Sequence, residues 1–169
     1  MSKKKNFFIT FEGIEGSGKS YQSKILYKNL INRNIKTILT REPGGTPGAE
    51  LIRNVILDDY FHRNLKDQFD KNTDTLLYLA ARNEHVKNKI KPALKKGLNV
   101  ICDRFIDSTT AYQVLGKGVD NKLINFIHKF ILNGAKPDLT FVLTANISKA
   151  MNRIKMRRKK NRYDKFNKN

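Results

Sequence analysis

Read for the alternation of apolar and polar positions, the chain falls into short apolar runs separated by longer stretches with helical spacing. "NFFITF" (6–11), "IKTILT" (35–40), "LNVICD" (98–103) and "LTFVLTA" (139–145) are rich in apolar and β-branched residues, which predicts four buried strands. After the first of them, "KSYQSKILYKNLINRN" places Ile25, Leu26, Leu30 and Ile31 close to one helix face. Comparable patterns predict helices over 19–32, 47–58, 72–95, 106–115, 120–132 and 147–160. Pro47 suits a first helical turn and Gly97 a helix end, while Pro92 must kink or interrupt the helix that holds it. "DDYFHRNLKDQFD" (58–70) has no clear period and reads as a variable excursion. Strands alternating with helices imply an α/β fold of three layers, a central parallel sheet with helices on both faces.

Composition narrows the class. The 169 residues, 39% of them apolar and without linker or repeat, predict one domain over 1–169. No apolar run approaches the ~18 residues of a membrane span, and "MSKKKNFF" carries no signal core, so a cytoplasmic protein without a membrane partner is expected. Cys102 is the only cysteine, which excludes an internal disulfide and suits a reducing compartment. The net charge of +19 favours anionic partners as a class, nucleotides, nucleic acid and anionic membrane surface alike. Much of it lies in stretches such as "VKNKIKPALKKG" that read as solvated lysine-rich faces, and no zinc spacing, RNA-binding signature or basic region with heptads is present. A nucleic-acid partner is therefore not expected.

Chemistry enters with "FEGIEGSGKSYQSK", where Gly13, Gly18, Lys19 and Ser20 hold the fixed positions of a Walker A loop between a strand and a helix. Glycines let such a loop turn its N–H groups inward on phosphate oxygens, and the helix that follows adds its positive end. Gly13, Ile14, Glu15, Gly16, Ser17, Gly18, Lys19 and Ser20 are the candidate ATP and phosphate cradle, with Lys19 reaching the outer phosphates and the Ser20 hydroxyl toward Mg²⁺. In a parallel sheet, ligands gather beyond the carboxyl ends of the strands. There lie "TREPGGTPGAELIR" and "CDRFIDSTTAYQ". Asp103 ends an apolar strand where P-loop enzymes keep a carboxylate for Mg²⁺, partly through water, and Arg41 and Arg104 can fork onto phosphate. These features still leave several phosphoryl-transfer chemistries open.

Six segments in this order, "FEGIEGSGKS", "TREPGGT", "LLYLAARNEHV", "IKPALKKG", "CDRFIDSTTAYQ" and "KPDLTFVL", together resemble the bacterial thymidylate kinases over nearly all of residues 6–165. The resemblance implies transfer of phosphate from ATP, with Mg²⁺, to dTMP for dTTP synthesis. It implies that Tyr78, where that family usually has Phe, faces the thymine ring, and that Arg82 hydrogen-bonds the base. Positions i and i+4 of one helix can both reach one ligand. Thr109, Tyr112 and Gln113 match residues at the base edge and beside the sugar, and Glu15 matches the acidic residue near the 3′-hydroxyl. Arg41 and Arg104 complete the dTMP set, while Glu12 and Glu42 match partners of Mg²⁺ waters or of the arginines.

The acceptor in such a reaction is a phosphate monoester with a second pKa near ~6, so it is nucleophilic at neutral pH without a general base. His62, His85 and His128 are accordingly read as structural or surface residues. The resemblance implies Lys19, Arg104 and Arg157 as catalytic cations, the last in a lid over 151–165 with Arg153 and Arg162 as helpers, since the bacterial members, like this chain with Gly16, lack an arginine after the acidic residue of the P-loop. A solvated basic tail is the competing reading of that segment. The family resemblance further implies a homodimer through helices near 72–92 and 106–130. Relatives of this kind continue beyond "YDKFNKN" with an edge strand and a closing helix, so a sheet without its last strand, open at one edge, is expected.

Overall fold

The computed structural model describes residues 6–57 and 69–156. Strand β1 (Phe8–Gly13) runs into the glycine loop and helix α1 (Lys19–Asn32), followed by β2 (Thr37–Arg41) and α2 (Pro47–Leu57). Helix α3 (Lys71–His85) continues through a wide π turn, Val86–Ile90, into the short α4 (Lys91–Lys95) and then β3 (Asn99–Asp103). After β3 come α5 (Ile106–Thr109), a second π segment (Thr110–Leu115), α6 (Asn121–Leu132), β4 (Leu139–Leu143) and α7 (Ile147–Lys155). The four strands are all parallel in the order β2-β3-β1-β4.

The predicted strands and helices are present with shifted ends. β1 reaches Gly13, two residues beyond the apolar run, because β4 pairs with it as far as Gly13 opposite Leu143. Pro92, which lacks an N–H to donate back along the helix, stands in the first turn of α4, and the π turn before it is the interruption that the proline requires. Gly97 ends that helix at φ +82. Most of the 58–70 excursion and the residues after 156 lie outside the described residues.

One face of β1 and β3 carries Phe8, Val100 and Cys102, which pack with Val86, Ile90, Phe105 and Leu132 into the main core. Phe8 meets Phe105 edge to face at 4.9 Å. The other face of β1 turns Phe11 toward α1 and stacks it on Phe141 of β4 at 5.1 Å. β4 is the edge of the described sheet, and Leu139, Phe141 and Val142 are exposed there, as the expected open edge requires. Among the described residues no helix is long and apolar enough to cross a membrane.

Candidate active site

Parallel register brings the carboxyl ends of β1, β2 and β3 together, with Arg41 opposite Asp103 and Phe11 opposite Asp103. The longer helices differ in how they begin. Asp70, Asp120 and Asn146 cap α3, α6 and α7 through their side chains, whereas α1 starts at Gly18, at φ +98 and with no side-chain cap. The Tyr21 N–H turns back on the Gly18 carbonyl at 3.0 Å, and no side chain caps the Lys19 and Ser20 end of α1, an arrangement able to receive phosphate at a helix N-terminus. Gly16 is a glycine for a second reason: at φ +75, an added Cβ would fall 2.5 Å from the Ala150 carbonyl oxygen, so α7 packs directly on the loop.

A cavity of about 460 Å³ opens beyond this edge. Glu15, Gly16, Gly18, Lys19 and Ser20 line one end, and Tyr78, Arg82, Thr109, Tyr112 and Gln113 the other, with Arg41, Asp103, Arg104 and Arg153 also on its wall. Gly13, Ile14 and Ser17 of the predicted cradle are not on the wall; Ile14 supplies the carbonyl that accepts from Lys19 Nζ at 2.7 Å. Arg157 and Arg162 lie outside the described residues. Arg153 is the one predicted lid arginine within them, and it donates to the Gly16 carbonyl at 3.1 Å.

The charged groups around Lys19 are mutually arranged. Burial, with the Arg104 charge adding to it, lowers the pKa of Lys19 to about 8. Arg104, at φ +71, donates to Glu15 Oε1 at 2.6 Å, to Ser108 Oγ at 2.9 Å and to the Gly13 carbonyl at 3.2 Å, with its guanidinium over the Tyr112 ring at 5.4 Å. Burial opposes its charge, but Glu15 outweighs that and holds Arg104 more firmly protonated. The Ser20 hydroxyl donates to Asp103 Oδ2, and Asp103 Oδ1 is buried without a hydrogen-bond partner among the described residues.

Glu12 does not line the cavity. It is buried and accepts from the Phe105 N–H at 2.7 Å and from Ser108 Oγ at 2.6 Å, so it pins the turn that carries Arg104. Burial raises its pKa despite those bonds. Glu42 takes the arginine role instead: its Oε2 accepts from Arg82 Nε at 2.7 Å and its Oε1 faces His85 Nδ1 at 3.0 Å. Burial works against its charge, yet Arg82 and His85 hold its carboxyl below the usual range. His85 Nε2 meets Thr40 Oγ1 at 2.7 Å, which completes a buried chain from β2 to the floor of the cavity.

Sequence reasoning missed Arg53, which lines the cavity and donates to the Pro43 carbonyl at 2.6 Å, and Ser108, which joins Glu12 to Arg104. The signal for Arg53 was its position three residues after Glu50 on the helix that follows "REPGG". Ser108 carried no comparable signal, since its partners come from two distant segments.

Known proteins resemble this chain in both sequence and fold. A family model described as thymidylate kinase matches residues 11–169. A thymidylate kinase of Halothermothrix orenii is 45% identical over 151 residues, covering 89% of this chain and 70% of that relative. One from Wolbachia pipientis wMel is 46% identical over 165 residues, covering 96% and 78%. The crystal structure of thymidylate kinase from Ehrlichia chaffeensis superposes with a TM-score of 0.72 at 42% identity, over 82% of this chain and 74% of that one.

Proposed function

This chain belongs to the thymidylate kinase family, and from that premise we propose that it transfers the γ-phosphoryl group of Mg-ATP to dTMP, giving dTDP and ADP for dTTP synthesis. One observation carries the reading: a single cavity joins the P-loop lysine to a floor made by Tyr78 and Arg82. The donor's phosphates belong over Gly13–Ser20 and the thymine over Tyr78, with Arg82, Thr109, Tyr112 and Gln113 at its edges.

The chemistry asked of the protein is electrostatic. Two polyanions must be held in line, and the transition state spreads charge over the transferred group. Lys19, Arg41, Arg53, Arg104 and Arg153 supply compensating charge around one cavity. The dTMP phosphate attacks as a dianion, so no side chain need remove a proton. His85 and His128 are both buried and engaged with Glu42 and Arg82, consistent with structural duty.

The residues present fit Mg²⁺. Asp103 Oδ1 is a buried oxygen without a partner among the described residues, and Ser20 Oγ lies on the same carboxylate, which gives the hard oxygen donors this ion takes. When bound, the ion neutralises charge on the donor phosphates. Ser20 and Asp103 would hold it, Lys19 would hold the outer phosphates, and Arg104 would take the dTMP phosphate.

The segment 151–165 is the lid in this reading: α7 rests on the P-loop through Ala150 and Arg153, and Arg157 and Arg162 follow Arg153 in the sequence by four and nine positions. A homodimer is supported by α6, where Leu123, Phe126 and Phe130 expose an apolar stripe at i, i+3 and i+7. Sedimentation of Phe126→Asp/Phe130→Asp as a monomer beside a dimeric parent is the expected result; equal sedimentation of the two would remove that stripe as the interface. A cytoplasmic setting fits the lone buried thiol.

The function is tested by ADP release from Mg-ATP with dTMP, dUMP, dCMP, dGMP or dAMP as acceptor, with Lys19→Ala as the blank. Release with dTMP far above the others is expected. A folded chain that releases no more ADP with dTMP than the blank would overturn the reading.

A further inference from the structure

We propose that His128 is a positioning residue, a neutral hydrogen-bond acceptor on α6 that fixes the Arg82 guanidinium so that one N–H, on Nη2, is left to meet an acceptor atom of the substrate base. The inference rests on the reading above that the base lies at this end of the cavity.

An arginine has five N–H groups in one plane. Arg82 spends Nε–H on Glu42 at 2.7 Å and one Nη2–H on the Phe105 carbonyl at 2.8 Å. From Nη1 it meets Thr109 Oγ1 and His128 Nε2, each at 2.7 Å. Those partners come from four separate segments: the turn after β2, the turn after β3, α5 and α6. Among the described residues the second Nη2–H has no such partner.

His128 differs from the other contacts in its position. It is buried and absent from the cavity wall, so it acts on a ligand only through Arg82. It must also accept, since an arginine can only donate, and Nε2 is therefore the unprotonated nitrogen with the proton on Nδ1. Burial first, and then the Arg82 charge, press the ring toward that neutral form, with a pKa near about 4.

The chemical consequence is selectivity. With both Nη1 protons taken, Arg82 presents a single in-plane donor to the cavity, which a keto oxygen can satisfy and an exocyclic amino group cannot. Sites that spend a fixed donor in this way reject analogues far better than apolar pockets do. Without the acceptor on α6, an Nη1–H is left buried and unpaired, and the guanidinium is free to re-aim.

The test compares His128→Leu, which removes the acceptor, with His128→Gln, whose side-chain oxygen can take the place of Nε2. Steady-state rates with dTMP and dCMP are measured alongside thermal melts. Folded His128→Leu should raise the KM for dTMP by about tenfold, with kcat changed by less than about threefold, and narrow the dTMP preference over dCMP by about tenfold; His128→Gln should restore both. Parental KM and preference in folded His128→Leu, or no rescue by Gln, would overturn the proposal. Should His128→Leu fail to fold, or the parent prove inactive with dTMP, imidazole ¹⁵N shifts of the parent at pH 7 still decide the acceptor role. Proton on Nδ1 supports it, and proton on Nε2 refutes it. An inactive parent would count against the dTMP assignment alone.

Discussion

Arg104 and Glu15 meet at 2.6 Å across the mouth of the cavity, the first from the turn after β3 and the second from the P-loop. Both are mostly buried, so the pair is firm, and the same guanidinium also holds Ser108 and the Gly13 carbonyl. A planar fork does this and a lysine ammonium cannot. Arg104→Lys should therefore behave as a severe change: steady-state kinetics should show kcat/KM down by about a hundredfold or more, mostly in kcat. Rates near those of the parent would remove Arg104 from the transition state.

Lys19 pairs functional need with a cost to the fold. Its pKa of about 8 in the folded protein is below the ordinary 10.5, so carrying the proton opposes folding below pH 8, and this cost fades as pH rises from 8 toward 10.5. At pH 7 the cost is up to about 3 kcal/mol. Lys19→Met should thus raise Tm by up to about 6–12 °C, at roughly 2–4 °C per kcal/mol for a chain of this size, while abolishing transfer. Bound phosphates restore the proton, so calorimetry of ATP binding at pH 8.5 should report proton uptake from the difference between Tris and HEPES buffers. Binding heats corrected to the same value with no uptake would contradict the depressed pKa.

Glu42 illustrates a buried charge that is tolerable only in company. It serves Arg82 and His85 at once, and its lowered pKa makes its contribution present above about pH 4.5 and lost as pH falls through the folded value. Removing it strands the Arg82 charge, which typically costs about 3–5 kcal/mol. Thermal melts at pH 7 should place Glu42→Ala roughly 10 °C below the parent. A shift under 2 °C would show that Arg82 finds another partner.

The P-loop and the order of strands and helices were legible because each depends on local spacing, glycines before a helix and apolar runs, whereas Tyr78, Arg82, Thr109, Tyr112 and Gln113 were reached through the family resemblance and Arg53 and Ser108 on the cavity wall were missed. What escaped the sequence depends on distant positions. That Glu12 serves Phe105 and Ser108 follows from the turn after β3 folding back over β1, across more than ninety positions. That Arg82 is braced by residues 42, 105, 109 and 128 required the packing of α3 on α6 and on the turns after β2 and β3. The π segment at Thr110–Leu115, which carries Tyr112 and Gln113 to the cavity, widens the helix without altering the apolar pattern that announced it.

Asp103 offers the sharpest test of the metal assignment. One of its oxygens receives the Ser20 hydroxyl and the other is buried without a protein partner among the described residues, which is costly unless a bound group uses it. Asp103→Asn keeps the shape and removes the charge. If the carboxylate helps hold Mg²⁺, the concentration of Mg²⁺ giving half-maximal rate should rise by about tenfold, near the low end for lost charge-assisted contacts. Thermal stability should change little or increase, because a neutral amide at that buried oxygen carries a smaller desolvation penalty than a carboxylate. An unchanged Mg²⁺ requirement in a folded Asp103→Asn chain would assign Asp103 to holding Ser20 alone.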